Sequence, residues 1–167
     1  TAVLLTAAAS LHAADKAASE AKPDAPADAA ALPADASVRQ SIRVDGRTLD
    51  YTATVGTLPV RDEQGKTVAD VTYVAYTAPG ANRPVTFALN GGPGASSVYL
   101  NFGAIGPKVV AFGNTGDSPS DPATLRDNPG TWLDFTDLVF IDPVGTGFSR
   151  SRLPADETKK RFYTPTA

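Results

Sequence analysis

Val85-Thr86-Phe87-Ala88-Leu89-Asn90-Gly91-Gly92-Pro93-Gly94 is the stretch on which the fold turns. Val85, Phe87 and Leu89 alternate with smaller residues at the period of a β-strand, and the run ends abruptly in a glycine-rich turn. Ala95-Ser96-Ser97-Val98-Tyr99-Leu100 then predicts a short helix capped by Ser96 or Ser97. Further along, Leu138-Val139-Phe140-Ile141 is a continuous apolar run that stops at Asp142-Pro143 and Gly145-Thr146-Gly147. Such runs suit a parallel sheet covered on both faces, so the two strands and the intervening helical segment predict an α/β fold.

Upstream the texture is different. Ordered sequence is expected from about Val38. Ile42-Arg43-Val44 leads into Asp45-Gly46, after which Leu49, Tyr51, Ala53 and Val55 alternate with Thr48, Asp50, Thr52 and Thr54. Asp-Gly accepts the positive φ values of a two-residue hairpin turn, and the period of two turns one face inward. Leu58-Pro59-Val60 and Val68 through Thr77, separated by Gln64-Gly65, predict a second hairpin, with Pro59 in a short strand at a sheet edge because it has no N–H to donate. An antiparallel β-meander thus leads into the start of a mixed or parallel sheet.

The first 37 residues lack these patterns. The chain begins at Thr1 rather than Met, and Ala2 through Leu11 is apolar but too short to cross a bilayer. Residues 1–13 are read as a secretory signal peptide that has lost its basic start, cut near Ala13 or Ala14. Residues 14–37, rich in Ala, Asp and Pro and almost free of large apolar side chains, bury too little to offset chain entropy and are read as a disordered linker. Residues 38–167 form the folded part. This organisation predicts a secreted or periplasmic protein that is off the membrane once its signal is removed.

Composition narrows the chemistry. At 167 residues, 42% hydrophobic and 20% charged, the chain has room for one core. A net charge of −3 offers no basic surface for a phosphate backbone, so nucleic acid is not the expected partner. There is no cysteine, and the one histidine, His12, lies in the predicted signal. The mature part therefore has no thiolate nucleophile, no Cys or His metal ligand and no catalytic His, and no metal or cofactor is expected.

Pro93 has no N–H, so the donors of the glycine turn are the amides of Gly91, Gly92 and Gly94. Amides at the carboxyl edge of a strand can receive an oxyanion or a carboxylate, and the Asn90 side chain can add another donor. The same residues also serve as a plain strand-to-helix turn, and the pattern alone leaves both readings open. Asp142 reads first as a turn starter and second as an acid or ligand; Trp132, beside Leu133 and Phe135, reads first as a core anchor and second as a ring that stacks on a substrate. Arg150, Arg152, Lys159, Lys160 and Arg161, interleaved with Asp156 and Glu157, read as a solvated face. No G-x-S-x-G elbow is present; Gly147-Phe148-Ser149-Arg150-Ser151 comes nearest but ends in Ser, which makes Ser149 structural.

Four blocks, Phe87 through Ser97, Phe102 through Pro107, Asn128 through Trp132 and Val139 through Ser149, resemble in order and spacing the serine carboxypeptidase family, peptidase family S10. The resemblance runs from about Pro84 to Ser151. It implies an α/β-hydrolase fold, incomplete here, and removal of C-terminal residues from peptides by a Ser-Asp-His triad whose members lie beyond Ala167. It also implies that the Gly92 N–H is an oxyanion donor and that Asn90 and Gly91 bind the terminal carboxylate of a peptide substrate. Ala88, Ala95 and Ala104 stand where many members have Trp, Cys and Glu; the missing Cys fits a bacterial branch, and Ala104 bears on carboxylate recognition. Two other readings are a proline-iminopeptidase-like hydrolase, which Asn90 disfavours because that group has His before its glycines, and a secreted, non-catalytic β-rich binding module.

Overall fold

The computed structural model describes residues 32–90, 94–111 and 123–163. The expected signal peptide, most of the expected linker, and Gly91 and Gly92 lie outside the described residues. Strand β1 (Ala36–Val44) opens ahead of the expected start at Val38. Polar side chains hold this entry: the Asp35 carboxylate accepts from the Thr57 N–H at 3.0 Å, and the Ser37 and Thr54 hydroxyls meet at 2.8 Å. Hydrophobicity gave no sign of it.

Val44 pairs with Arg47, which leaves a two-residue turn of Asp45 (φ 48°) and Gly46 (φ 78°) between β1 and β2 (Arg47–Arg61). Two successive positive φ values match the right-handed twist of the flanking strands, as Asp-Gly predicts. β3 (Thr67–Thr77) returns antiparallel along β2. Pro59 belongs to the long β2 rather than to a separate short strand. Its stretch is still a sheet edge, because β1 stops pairing at Val55 and β3 alone lies beside it. The inward face expected of Leu49, Tyr51, Ala53 and Val55 holds to Ala53 and fails at Val55, which is exposed beyond the end of the core.

After β4 (Val85–Ala88) come the single helical turn α1 (Val98–Leu100), a π-helical turn at Asn101–Ile105, and the antiparallel pair β5 (Lys108–Ala111) and β6 (Thr124–Asp127). A 3-10 turn at Trp132–Asp134 leads into β7 (Asp137–Ile141), and β8 (Arg150–Ser151) and α2 (Ala155–Thr158) follow. The main sheet has the order β1-β2-β3-β7-β4, with β8 on β3. It is mixed: β7 runs antiparallel to β3 and parallel to β4. The antiparallel meander and the parallel β4–β7 pair are thus both present.

One face carries the core. Ile42, Val44, Tyr51, Tyr76, Ala88, Leu133, Leu138 and Phe140 pack together there. The Tyr51, Tyr76 and Phe140 rings meet edge to face at 5.8 and 5.9 Å, the preferred aromatic geometry. Burial, with Tyr76 and then Asp127 nearby, pushes the Tyr51 hydroxyl up to about 12. Burial also raises Tyr76, against a hydrogen bond from Asn101. The β5–β6 pair is tied to β1 through Asp127, which accepts from Lys108 Nζ at 2.5 Å and from the Arg43 N–H at 2.8 Å; these bonds hold its carboxyl below the usual range.

Two packing expectations are corrected. β4 and β7 are covered on one face rather than both: Val85, Phe87 and Leu89 project to the opposite side and are each more than half exposed. The short turns contribute to the core face instead: Leu133 of the Trp132–Asp134 turn is part of the core and Leu100 of α1 packs against it. Trp132 is not the core anchor either. It is 44% exposed and lies tilted against the exposed Phe135 at 6.0 Å, while its neighbour Leu133 is fully buried. The 3-10 turn points adjacent residues in different directions and sends the smaller one inward.

Candidate active site

Because β4 and β7 are adjacent and parallel, Asn90 and Asp142 leave the sheet at the same carboxyl end. In open α/β sheets that end is where ligands bind. Each strand leads there into a glycine segment, 91–94 after β4 and 145–147 after β7. Asn90 is half-buried, and Gly94 sits at φ +91°, in the left-handed region that favours glycine. The amides of Gly91 and Gly92 lie outside the described residues.

A compact hydrogen-bond network builds the floor of this end. The Asp142 N–H donates to the Thr72 carbonyl at 3.1 Å, continuing the β3–β7 ladder past Ile141. Ser149 Oγ donates its only proton to the Asp142 carbonyl at 2.7 Å and accepts from the Thr72 N–H at 2.8 Å and the Thr72 hydroxyl at 3.0 Å. One donor and two acceptor positions exhaust a serine hydroxyl. Ser149, 4% exposed, is therefore a structural pin, as its sequence context suggests.

Ser97 is fixed to the same strand end. Its N–H donates to Asp142 Oδ1 at 2.7 Å, and its hydroxyl bonds the Ile141 carbonyl. Ser97 does occupy the N-cap of α1, but its hydroxyl makes no capping bond and turns to β7 instead. Ser96 Oγ accepts from the Val98 N–H only at a long 3.4 Å. The other oxygen of Asp142 lies against Gly147, where any Cβ would collide with the carboxylate. Asp142 therefore does more than start a turn: it bonds across to the residues that follow β4. The pairing of Asp142 with Gly147 is legible as Asp-Pro followed by a Gly-x-Gly, but nothing in the sequence points to Ser97 or Thr72 as its partners.

The next layer is the π-helical turn, which brings Asn101 inside with Oδ1 buried and without a hydrogen-bond partner. Gly106 packs directly on Asn101, so this position has no room for a side chain. Asn128 Nδ2 bonds the carbonyls of Ala104 and Gly106 at 2.7 and 2.8 Å, and the Thr131 hydroxyl bonds that of Ile105 at 3.1 Å. The Asn128-Pro129-Gly130-Thr131 block thus holds the Phe102–Pro107 block in place. Ala104 itself is exposed.

Other charged candidates are committed elsewhere. Arg152 forms a two-pronged pair with the buried Asp70 on β3, at 2.7 and 3.1 Å, while Lys159, Lys160 and Arg161 sit on an exposed face. Among the described residues no three Asp, Glu, His or Cys side chains converge as a metal set, and no helix is long and apolar enough to cross a membrane. Two surface depressions, of about 690 and 460 Å³, lie away from Asn90 and Asp142. The first is bounded by Arg39, Asp50 and Thr77, the second by Asp62, Lys66 and Glu157.

Comparison with known proteins agrees with this organisation. The family described as serine carboxypeptidase matches residues 43–164. "Serine carboxypeptidase-like 50" of Arabidopsis thaliana is 37% identical over 97 residues, 56% of this chain and 20% of the relative. "Serine carboxypeptidase-like 36" of the same plant is 39% identical over 83 residues, 49% of this chain and 16% of the relative. "Pheromone-processing carboxypeptidase kex1" of Penicillium rubens is 45% identical over 71 residues, 41% of this chain and 10% of the relative. The chain thus spans a fifth or less of the curated relatives it matches. With a family match covering most of its length, from the end of β1 through α2, the chain belongs to the serine carboxypeptidase family.

Proposed function

We propose that this chain is the N-terminal part of a serine-type carboxypeptidase with an α/β-hydrolase fold, acting on peptides at their C-terminal end. The observation that carries the reading is the delivery of Asn90 and Asp142, each followed by a glycine segment, to one carboxyl end of two adjacent parallel strands. In this reading the Gly92 N–H receives the negative charge that develops on the scissile carbonyl oxygen, and Asn90 and Gly91 hold the terminal carboxylate of the peptide. The nucleophilic serine, the acid and the histidine come from sequence beyond Ala167. Attack of the serine hydroxyl on the carbonyl, with its proton passed to the histidine, places charge on the oxygen facing Gly92. Collapse of that intermediate, with the histidine passing its proton to the leaving nitrogen, expels the C-terminal residue as the amine; water, giving a proton to the histidine, then attacks the acyl group and releases it while the serine oxygen regains that proton. The apolar N-terminal run and the Ala/Pro-rich stretch after it support export from the cytoplasm.

The test is to express the full reading frame and follow a set of peptides by mass spectrometry. Stepwise loss of C-terminal residues, abolished by a serine-directed phosphonate, is the expected result. Release from the N-terminus favours an iminopeptidase-like enzyme, and binding without cleavage a non-catalytic module; either overturns the proposal.

A further inference from the structure

Asp142 was weighed above as a turn starter or a ligand; the geometry points to a third role. We infer that Asp142 is a positioning residue that sets the placement of the segment entering α1, and through it the donors proposed at the glycine turn. This rests on the carboxypeptidase reading.

The stretch 89–96 is tethered to β7 at both ends. Before it, Ala88 pairs with Phe140 in the parallel ladder. After it, the Ser97 hydroxyl bonds the Ile141 carbonyl and the Ser97 N–H bonds Asp142 Oδ1 at 2.7 Å. Three consecutive residues of one strand end thus hold Ala88 on one side and Ser97 on the other, and the only side chain of the three that makes a hydrogen bond is that of Asp142. A carboxylate accepting from a buried amide forms a charge-assisted bond, shorter and more directional than a neutral one. Ser97 is 3% exposed, so water does not readily replace the carboxylate.

The clamp is itself held. The main chain of Asp142 is fixed on one side by Thr72 and on the other by Ser149. Its second oxygen abuts Gly147, and Ser96 Cβ would stand 3.4 Å from a Cβ placed there, so the glycine gives the carboxylate its approach to the α1 entry. Asp142, Gly147 and Ser96 therefore meet at one point, which joins the glycine segment after β7 to the entry of α1.

Oxyanion donors act only if they are fixed before charge develops, and a displacement of about 1 Å in a catalytic constellation can lower rate about 10²-fold. The test compares Asp142→Ala and Asp142→Asn in the full-length enzyme, with Arg152→Ala as a variant that breaks a different clamp. Active sites are counted by phosphonate titration, so that misfolded molecules drop out of the kinetics. Asp142→Ala is expected to lower kcat per titrated site about 100-fold with little change in KM. Asp142→Asn, which keeps an acceptor oxygen, is expected to recover most of that loss, and Arg152→Ala to lower the melting temperature with kcat per site unchanged. Amide hydrogen exchange should show protection of Ser97 lost in Asp142→Ala and retained in Asp142→Asn. Unchanged kcat per site, or unchanged Ser97 protection, in Asp142→Ala overturns the inference. A wild-type enzyme without hydrolysis overturns the carboxypeptidase reading and with it the catalytic half of this one; Ser97 exchange then decides alone whether Asp142 holds the α1 entry.

Discussion

Gly147 and Gly65 show how far the meaning of a glycine depends on its surroundings. Both adopt positive φ, +52° and +81°, yet a Cβ at 65 meets nothing within 4 Å whereas one at 147 runs into the Asp142 carboxylate. Gly65→Ala should therefore cost only the left-handed backbone, about 1–2 kcal/mol. Gly147→Ala must in addition displace Asp142 from Ser97, and should cost about 2–4 kcal/mol as backbone strain and a lost hydrogen bond combine. Urea unfolding of the two variants side by side checks this; equal losses would show that the Asp142 contact carries no weight. Tyr51 makes a residue-scale prediction of a different kind. Its hydroxyl, pushed up to about 12 by burial, keeps its proton in the folded chain at pH values where the unfolded chain has begun to lose it. The folded state binds the extra proton, so the stability Tyr51 contributes is whole below about pH 10 and falls as pH rises from there through 12. Denaturant midpoints from pH 9 to 12, in wild type and Tyr51→Phe, should diverge across that window.

At the scale of elements, the loop from β3 to β4 is tied to the start of β7 by one arginine. Arg83 Nε bonds Asp137 Oδ1 at 2.8 Å and Nη2 bonds the Leu133 carbonyl at 2.6 Å, while the same Asp137 oxygen accepts from the Ala78 N–H at 3.1 Å. Both side chains are largely buried, at 15% and 17% exposure, so Arg83→Ala leaves a half-desolvated carboxylate and should cost about 2–3 kcal/mol. Arg47, paired with Asp134 but 57% exposed, should cost no more than about 0.5 kcal/mol when changed to Ala. Thermal melts of the two variants rank them. Neither pair was legible in the sequence, since both join residues far apart along the chain. What was legible is local: Asp45-Gly46 needs positive φ at both positions, and the β-period of Leu49, Tyr51 and Ala53 follows from it. The parallel relation of β4 and β7 was legible too, in two apolar runs ending in glycine segments. The open side of β4 was not, because the alternation of Val85, Phe87 and Leu89 reports that one face differs from the other without saying what each face meets. The same limit applied to Asp142, whose partner Ser97 is brought to it only by the parallel pairing.

For the molecule as a whole, the sheet ends at β4, which pairs with β7 on one side and has no strand on the other among the described residues. Val85, Phe87 and Leu89 line one face of that edge strand, each more than half exposed, and Phe87 reaches 63%. An edge strand with free backbone donors beside an apolar stripe is a template for association, and here neither a charged side chain nor a proline interrupts Val85–Ala88. Relatives five or more times longer than the matched region have sequence with which to cover such an edge. The prediction is that residues 32–167 expressed alone bind a hydrophobic dye such as ANS and sediment as oligomers, and that Phe87→Lys reduces both by placing a charge in the middle of the stripe. In the full-length protein the same substitution should instead destabilise, by about 2–4 kcal/mol if Phe87 is packed there as a core aromatic. Opposite signs in the two contexts would identify β4 as an internal strand of the complete protein. A shorter chain that is monomeric and melts cooperatively, with Phe87→Lys neutral in both contexts, would make β4 the true edge of the sheet and require another explanation for its exposed apolar face.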